Sequence, residues 1–380
     1  MGAPIRVAHV MGKMVGGGVE QVVMNYYRHI DRSRVQFDFI VDSDSTLVPQ
    51  TEIESLGGRV FTVPPYQHPI AYQKALIPLF REQEWAIVHS HENTLSVFPL
   101  RAAKRAGVPV RIAHSHATAG EGEFVRNVMK YALRPLANLN PTHRLACSDH
   151  AGKWLFGNEH FDVLVNAFDV DGFGFRDSAR TLFRQAHGID EAAVVFGHAG
   201  RFAPPKNQAR LIHIFARVAA KRPESIMVLA GQGPDLAPCR KLAKELGVGD
   251  RIVFPGQCRD MAAFYSAIDM FLLPSTYEGL GLALVEAQAA GLPCLASSSV
   301  CQEANPTHEV AFASYDDESA WEAAMLNMEP RQDRALTAGE GQSLKPFEIA
   351  GAASWLASYY EKAAQKLAQK DAAPSERRRK

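Results

Sequence analysis

Two hydrophobic patterns alternate along the chain. Short, nearly continuous apolar runs are followed by stretches in which apolar residues return every three or four positions, the spacing of a helix with one buried face. Ile5-Arg-Val-Ala-His-Val10 predicts a strand, Gly12 to Gly18 a loop, and Val19 to Ile30 a helix striped by Val19, Val22, Val23, Tyr26, Tyr27 and Ile30. Further strands are predicted at Phe37 to Val41, Val60 to Val63, Ala86 to His89 and Val110 to Ala113. A second alternation begins near Ala193, with strands at Val194 to Ala199, Ile226 to Ala230, Ile252 to Phe254 and Asp269 to Leu273. Its helices fall at Gln208 to Lys221, Leu236 to Leu246 and Met261 to Ala267. This is the α/β pattern of two Rossmann-like, doubly wound domains in tandem. The join is expected around Asn166 to Gly172, where polar and turn residues interrupt the pattern, giving an N-terminal domain of 1–168 and a second of 169–345.

The most informative stretch runs from Ile268 to Ala296. Ile268-Asp-Met-Phe-Leu-Leu-Pro274 has the composition of a strand buried on both faces, and Leu282 to Ala290 reads as a helix. Gly291 is placed for a C-terminal cap, and Pro293 precedes a second apolar run, Cys294-Leu-Ala. In such a strand, loop, helix, strand unit the loop lies at the carboxyl edge of the sheet, where open α/β folds bind ligands. The amides of Gly279, Leu280 and Gly281 open the helix and favour an anion such as a phosphate. A carboxylate as near as Glu278 would repel that phosphate unless it faces neutral hydroxyls. A sugar meets that requirement, and Glu286, at the start of the second helical turn, suits a second polyol such as a ribose. Either acid alone is read more simply as a solvated residue near a helix start. The glycines, the buried strand and the two acids together favour a site for a nucleotide joined to a sugar.

Other loops fall on the same sheet edge. Arg201 and Lys206, in Gly200-Arg-Phe-Ala-Pro-Pro-Lys-Asn207, are two cations able to neutralise a diphosphate. Gly231-Gln-Gly-Pro234 and Pro255-Gly-Gln257 end the next two strands, where the backbone at Gly231, Gly233 and Gln257 is placed to read a nucleobase. In the first domain His114-Ser-His116 closes a strand at the equivalent edge, and His116 is a candidate for ordering a sugar hydroxyl or the acceptor. Gly16-Gly17-Gly18 allows close backbone approach but matches neither a P-loop nor G-x-G-x-x-G, and a tight structural turn explains it equally well.

Composition narrows the class without naming the reaction. The 380 residues are too many for one ordinary core, and Lys plus Arg equals Asp plus Glu at 41 each, which gives no argument for nucleic acid as a partner. The five cysteines, 147, 239, 258, 294 and 301, lack metal-ligand spacing and read as reduced thiols of a cytoplasmic protein. No apolar stretch approaches the roughly 18 to 20 residues of a membrane span.

With these residues together, the chain resembles the family 4 retaining nucleotide-sugar glycosyltransferases of GT-B fold, in the exopolysaccharide and capsule branch typified by EpsF-like proteins. The signature is Glu278, seven intervening residues and Glu286. Gly17-Gly18-Val19-Glu20, Gly200-Arg201 with Lys206-Asn207, Gly231-Gln-Gly233 and Arg111 to His116 support it, over about residues 5 to 360. Leu280 stands where many relatives have an aromatic residue, a mild departure because the backbone N–H makes the contact.

The resemblance implies that the two domains face a central cleft, with C-terminal helices at 346–370 crossing back to the first domain ahead of a basic tail, 371–380. It implies that Arg201 and Lys206 hold the donor diphosphate, Glu278 the transferred sugar and Glu286 the ribose. Gly281 and Leu282 would bind the phosphates through N–H, and His116 would serve the sugar and acceptor side. The donor is then a UDP-sugar acting as substrate, with no cofactor and no metal. The acceptor is a glycan, or a polyprenyl-linked sugar if the 124–136 stretch docks on lipid, and transfer retains configuration. Phe124 to Leu136 mixes apolar and basic residues as an amphipathic helix for an anionic membrane surface does, although most such helices pack on a core. Two rivals are a nicotinamide-dependent oxidoreductase, which should show G-x-G-x-x-G, and a nucleotide-sugar-binding protein without transfer, which would not need Glu278.

Overall fold

The computed structural model describes residues 3–116 and 130–372, so 124–129 of the 124–136 stretch and all but two residues of the basic tail lie outside the described residues. These residues divide into two compact units. The second runs from Asp169 to Pro346, and the first takes in the chain before it and resumes at Phe347.

Unit 1 is built on a seven-stranded sheet of order β3-β2-β1-β4-β5-β6-β7. Its strands are β1 (Ile5–Gly12), β2 (Val35–Asp42), β3 (Arg59–Val63), β4 (Ile87–Ser90), β5 (Val110–Ser115), β6 (His143–Ala146) and β7 (Asp162–Val163). Unit 2 has six, in the order β10-β9-β8-β11-β12-β13. They are β8 (Val194–Ala199), β9 (Ser225–Ala230), β10 (Ile252–Gly256), β11 (Met270–Leu273), β12 (Cys294–Ser297) and β13 (Val310–Ala313). Every pairing in both sheets is parallel. Helices therefore cover both faces, and this is why β2, β4, β11 and β12 are buried along their whole lengths, with β11 reading as a continuous apolar run.

Periodicity places the helices well where one face is buried. The helix Gln208–Lys221 turns Leu211, Ile212, Ile214, Phe215, Val218 and Ala219 inward, onto Phe196, Met227, Leu229, Met270 and Leu272. The expected strands at β1, β2, β3, β4, β5 and β8 to β12 are present with ends displaced by a residue or two. Three edge or near-edge strands were not expected from the pattern: β6 and β7 carry too few consecutive apolar residues to stand out, and β13, although apolar, is only four residues long.

After unit 2 the chain returns to unit 1. Phe168 N–H donates to Phe347 O at 3.0 Å and Ile349 N–H to Phe168 O at 3.0 Å, forming a parallel bridge that launches the long helix Ile349–Ala372. That helix packs against unit 1 with Leu356, Ala357 and Tyr360 buried, and Arg34 clasps Glu361 at 2.6 Å. The helix continues through Ala372, two residues into the segment expected to be a tail. Among the described residues no helix is long and apolar enough to cross a membrane.

Candidate active site

In unit 2 the strand order sets the site. β8 and β11 are neighbours although 70 residues of chain separate them, and being parallel they deliver their following loops to one edge. The first loop carries Lys206 in a single 3₁₀ turn, Pro204–Lys206, and the second carries Ser275 and Glu278. The loops are stitched by Thr276 N–H donating to Pro205 O at 2.9 Å and Asn207 Nδ2 donating to Pro274 O at 3.3 Å. Buried His198, at the end of β8, contacts Leu272 O of β11 through Nδ1 at 2.9 Å, and burial pushes its pKa down to about 4. The ring is therefore a neutral strut, with Nδ1 the donor to that carbonyl.

Lys206 Nζ donates to Glu278 Oε1 at 2.5 Å, and Ser275 Oγ donates to the same oxygen at 2.7 Å. Both charges are half-buried, with the lysine side chain 24% and the glutamate 12% exposed, so the pair is neither lost in bulk solvent nor sealed from a ligand. Arg201, five residues earlier in the loop, is exposed. The cation and the acid that the sequence assigns to different parts of a ligand thus meet directly.

Gly281 forms the N-cap of the helix Leu282–Ala289 with φ +87°, a left-handed conformation that glycine adopts without steric cost. Gly279 and Leu280 ahead of it are buried, and the first-turn amides of Leu282 and Ala283 have no acceptor within the helix. Glu286 lies one turn further along. Tyr265 donates its hydroxyl to Glu286 Oε2 at 2.8 Å, and desolvation raises the Glu286 pKa to about 7 against the downward pull of that bond. Neither Tyr265 nor Ser275 was singled out from the sequence. Ser275 was adjacent to the motif, whereas Tyr265 lies on another helix, Met261–Ala267, with no local signal.

The ends of β9 and β10 complete this edge. Gly231 N–H donates to Gly256 O at 2.7 Å, and Gly231 has φ +135° with Gly200 O only 2.0 Å from where a Cβ would stand. The loops after β8, β9 and β10 are therefore packed backbone to backbone, leaving Gln232 and Gln257 exposed and Gly233 half-buried beside them.

Unit 1 treats its predicted residues differently. Gly17 caps the helix Gly18–His29, but the amides of Val15, Gly16 and Gly17 all point at Glu20, donating to its carboxylate at 2.8, 2.6 and 3.0 Å. The glycine loop is folded around an anion supplied by its own helix. His116 is buried just past β5, its N–H donating to Asn93 Oδ1 at 2.6 Å and its ring linked to His91 at 2.9 Å.

Comparison with known proteins bears on this arrangement. Residues 179–326 match the model of glycosyl transferases group 1, and residues 17–156 match that of the glycosyl transferase 4-like domain. The chain is 34% identical over 308 residues to the putative glycosyltransferase EpsF of Bacillus subtilis (strain 168), covering 78% of this chain and 80% of that protein. It is 26% identical over 310 residues to the UDP-Gal:alpha-D-GlcNAc-diphosphoundecaprenol alpha-1,3-galactosyltransferase of Escherichia coli, covering 77% and 79% of the two chains. HepE of Anabaena, solved in complex with UDP and glucose, superposes with a TM-score of 0.79 at 18% identity, over 94% of this chain and all of that one. The two parallel Rossmann-like units are those of the GT-B fold, and the chain belongs to the group 1, family-4-like glycosyltransferases.

Proposed function

We propose that the protein transfers a sugar from a UDP-sugar to a glycan or polyprenyl-linked acceptor, with retention of configuration, in the synthesis of a cell-surface polysaccharide. The observation that carries this reading is the Lys206–Glu278 pair at the mouth of a helix N-terminus, with Glu286 one turn behind it. The Escherichia coli relative, a UDP-Gal:alpha-D-GlcNAc-diphosphoundecaprenol galactosyltransferase, supports the donor and acceptor classes. The UDP and glucose complex of HepE supports the nucleotide.

In this reading the diphosphate draws Lys206 away from Glu278, and Arg201 with the amides of Gly281 and Leu282 completes its binding. Glu278, released from its cation, accepts hydrogen bonds from sugar hydroxyls, and Glu286 accepts from the ribose. The bond between the anomeric carbon and the phosphate oxygen breaks as the acceptor oxygen attacks from the same face. The acceptor's proton passes to the departing phosphate. The negative charge that grows on the diphosphate meets fixed cations and amide dipoles. These groups do the work a divalent ion would do on the diphosphate, so added Mg²⁺ or Mn²⁺ leaves the rate unchanged.

The decisive variant is Glu278→Gln, assayed with a panel of UDP- and GDP-sugars. Binding, read as protection against thermal unfolding, should survive for one nucleotide, while turnover of that donor falls about 100-fold or more. Wild-type protection by a donor with no transfer to any acceptor would favour a binding protein instead. Unchanged transfer by the variant would remove Glu278 from the mechanism.

A further inference from the structure

Five of the fourteen histidines come together inside unit 1. His9 of β1 lies opposite His89 of β4, and His89 opposite Ile112 of β5. Because side chains two residues apart share a sheet face, His9, His89, His91, His114 and His116 all point the same way. That face is roofed by Val22, Val23 and Tyr26 of the first helix and Leu356 of the last. Each imidazole is 5% exposed or less.

Burying five polar rings in one place demands a complete set of partners, and the rings do not supply one another with enough. His116 Nε2 meets His91 Nδ1 at 2.9 Å, His91 Nε2 meets His9 Nδ1 at 2.9 Å, and His89 Nε2 meets His114 Nδ1 at 3.1 Å. His89 Nδ1 meets the Tyr360 hydroxyl at 2.7 Å. Among the described residues His9 Nε2 and His114 Nε2 are left without a hydrogen-bond partner, and His116 Nδ1 has only the Asn166 side chain beside it. A cavity of ≈ 10 Å³ lies among the rings, roughly the room one water requires.

We propose that His91, His114 and His116 form a binding site for a late first-row divalent ion of the Zn²⁺ class. Each of the three offers a ring nitrogen, and the three nitrogens lie within 4.8 Å of one another. One assignment of ring protons makes all three available at once. If the ion takes the place of the proton between His91 Nδ1 and His116 Nε2, His91 donates its other N–H to His9. His114 donates Nδ1–H to His89, which donates in turn to Tyr360, so His114 Nε2 becomes the third ligand. His116 then turns its Nδ1–H toward Asn166, the polar side chain beside it, whose Oδ1 is also unpartnered. Each ligand thereby has an acceptor for its other N–H, which fixes its tautomer, as bound histidines generally do.

Tetrahedral zinc with bonds of about 2.0 Å separates its nitrogens by about 3.3 Å, so the 2.9 Å link between His91 and His116 needs to open by only about 0.4 Å. Three neutral imidazoles leave a fourth position for a water in the cavity. With no carboxylate in the set, the site discriminates against Mg²⁺ and Ca²⁺. The other trio, His9, His89 and His91, has similar spacing, but its nitrogens are more fully used in the links above.

The site does not depend on the transfer reaction and is tested without it. The full-length chain, stripped with chelator, is dialysed against Zn²⁺ or Co²⁺ and analysed for bound metal. One ion per chain is expected, with the visible bands of tetrahedral cobalt and a raised melting temperature. His91→Gln and His114→Gln should each lose the bands and the stoichiometric ion, while His160→Gln, at an exposed position, keeps both. If the buried variants do not fold, X-ray absorption on the zinc-loaded wild type still decides, by showing three imidazole ligands. The proposal is overturned by octahedral cobalt, by metal retained equally in both buried variants, or by a stripped chain whose melting zinc does not move. The last result would mean that a single water occupies the cavity.

Discussion

The two units use the same plan, a parallel sheet with helices on both faces, yet they finish their carboxyl edges in opposite ways. Unit 2 leaves charge within reach of a ligand: Arg201 is exposed, Lys206 and Glu278 are paired but half-buried, and a helix N-terminus opens beside them. Unit 1 closes its edge on itself. Its glycine loop wraps the carboxylate of Glu20, and the strand ends beyond it carry neutral imidazoles packed under two helices. The lesson is that a glycine-rich loop before a helix is not by itself an anion site. What matters is whether the loop's amides already have an acceptor, and in unit 1 they do.

Acid should separate the units most strongly. Burial pushes His9 and His116 down to about 3, and it lowers His89, His91 and His114 as well, whereas unit 2 has one such residue, His198, at about 4. A histidine whose folded pKa lies below its unfolded value near 6.5 contributes no penalty above that value. It costs stability progressively as pH falls toward the folded pKa, because only the unfolded chain takes up the proton. At pH 5 the cost is about 2 kcal/mol for each of His9 and His116, or about 4 kcal/mol for the two. Hydrogen exchange on the metal-stripped protein should therefore show β1, β4 and β5 losing protection between pH 7 and pH 5 well before β8 and β11. Equal loss in both sheets would show that the histidine cluster is hydrated.

The glycines give a second contrast. Alanine at Gly231 must move either its own strained backbone or Gly200 O, which lies 2.0 Å from the new Cβ, and the expected cost is about 3 kcal/mol. At Gly18 a Cβ meets nothing within 4 Å and alanine is the better helix former, so the change should stay within about 0.5 kcal/mol. Denaturant melts of Gly231→Ala and Gly18→Ala measure both. Similar destabilisation by the two would mean that the unit 1 loop is under a constraint the structure does not contain.

Much of the frame was legible because burial on one or two faces writes itself into spacing. The helix Gln208–Lys221 and the strand Val194–Ala199 could be read to the residue. β7 could not, being two residues long. The acid pair Glu278 and Glu286 stood out from its local setting, but the partners of those acids did not. Lys206 reaches Glu278 because β8 and β11 are adjacent in the sheet, a fact of strand order that no local pattern carries. The histidines show the same limit. His114 and His116 were visible as a pair two residues apart, but β1, β4 and β5 must lie side by side before His9, His89 and His91 join them.

Glu286 offers the finest probe of the difference between the units. Its carboxyl is raised to about 7 because it is desolvated, the reverse of the histidine case. With a folded pKa above the unfolded one, it favours the free protein below about 4.5 and withdraws that stability as pH rises through about 7. Bound ribose hydroxyls would donate to the ionised form and offset that loss. UDP should then bind more tightly at pH 8 than at pH 6, by about tenfold, or about 1.4 kcal/mol. Glu286→Gln should bind with the weaker affinity at both pH values, since its amide oxygen still accepts but no longer changes charge. Calorimetric titration of UDP at pH 6, 7 and 8 measures this directly. Parallel pH profiles in wild type and variant would place the titrating group elsewhere and return Glu286 to being a partner of Tyr265 alone.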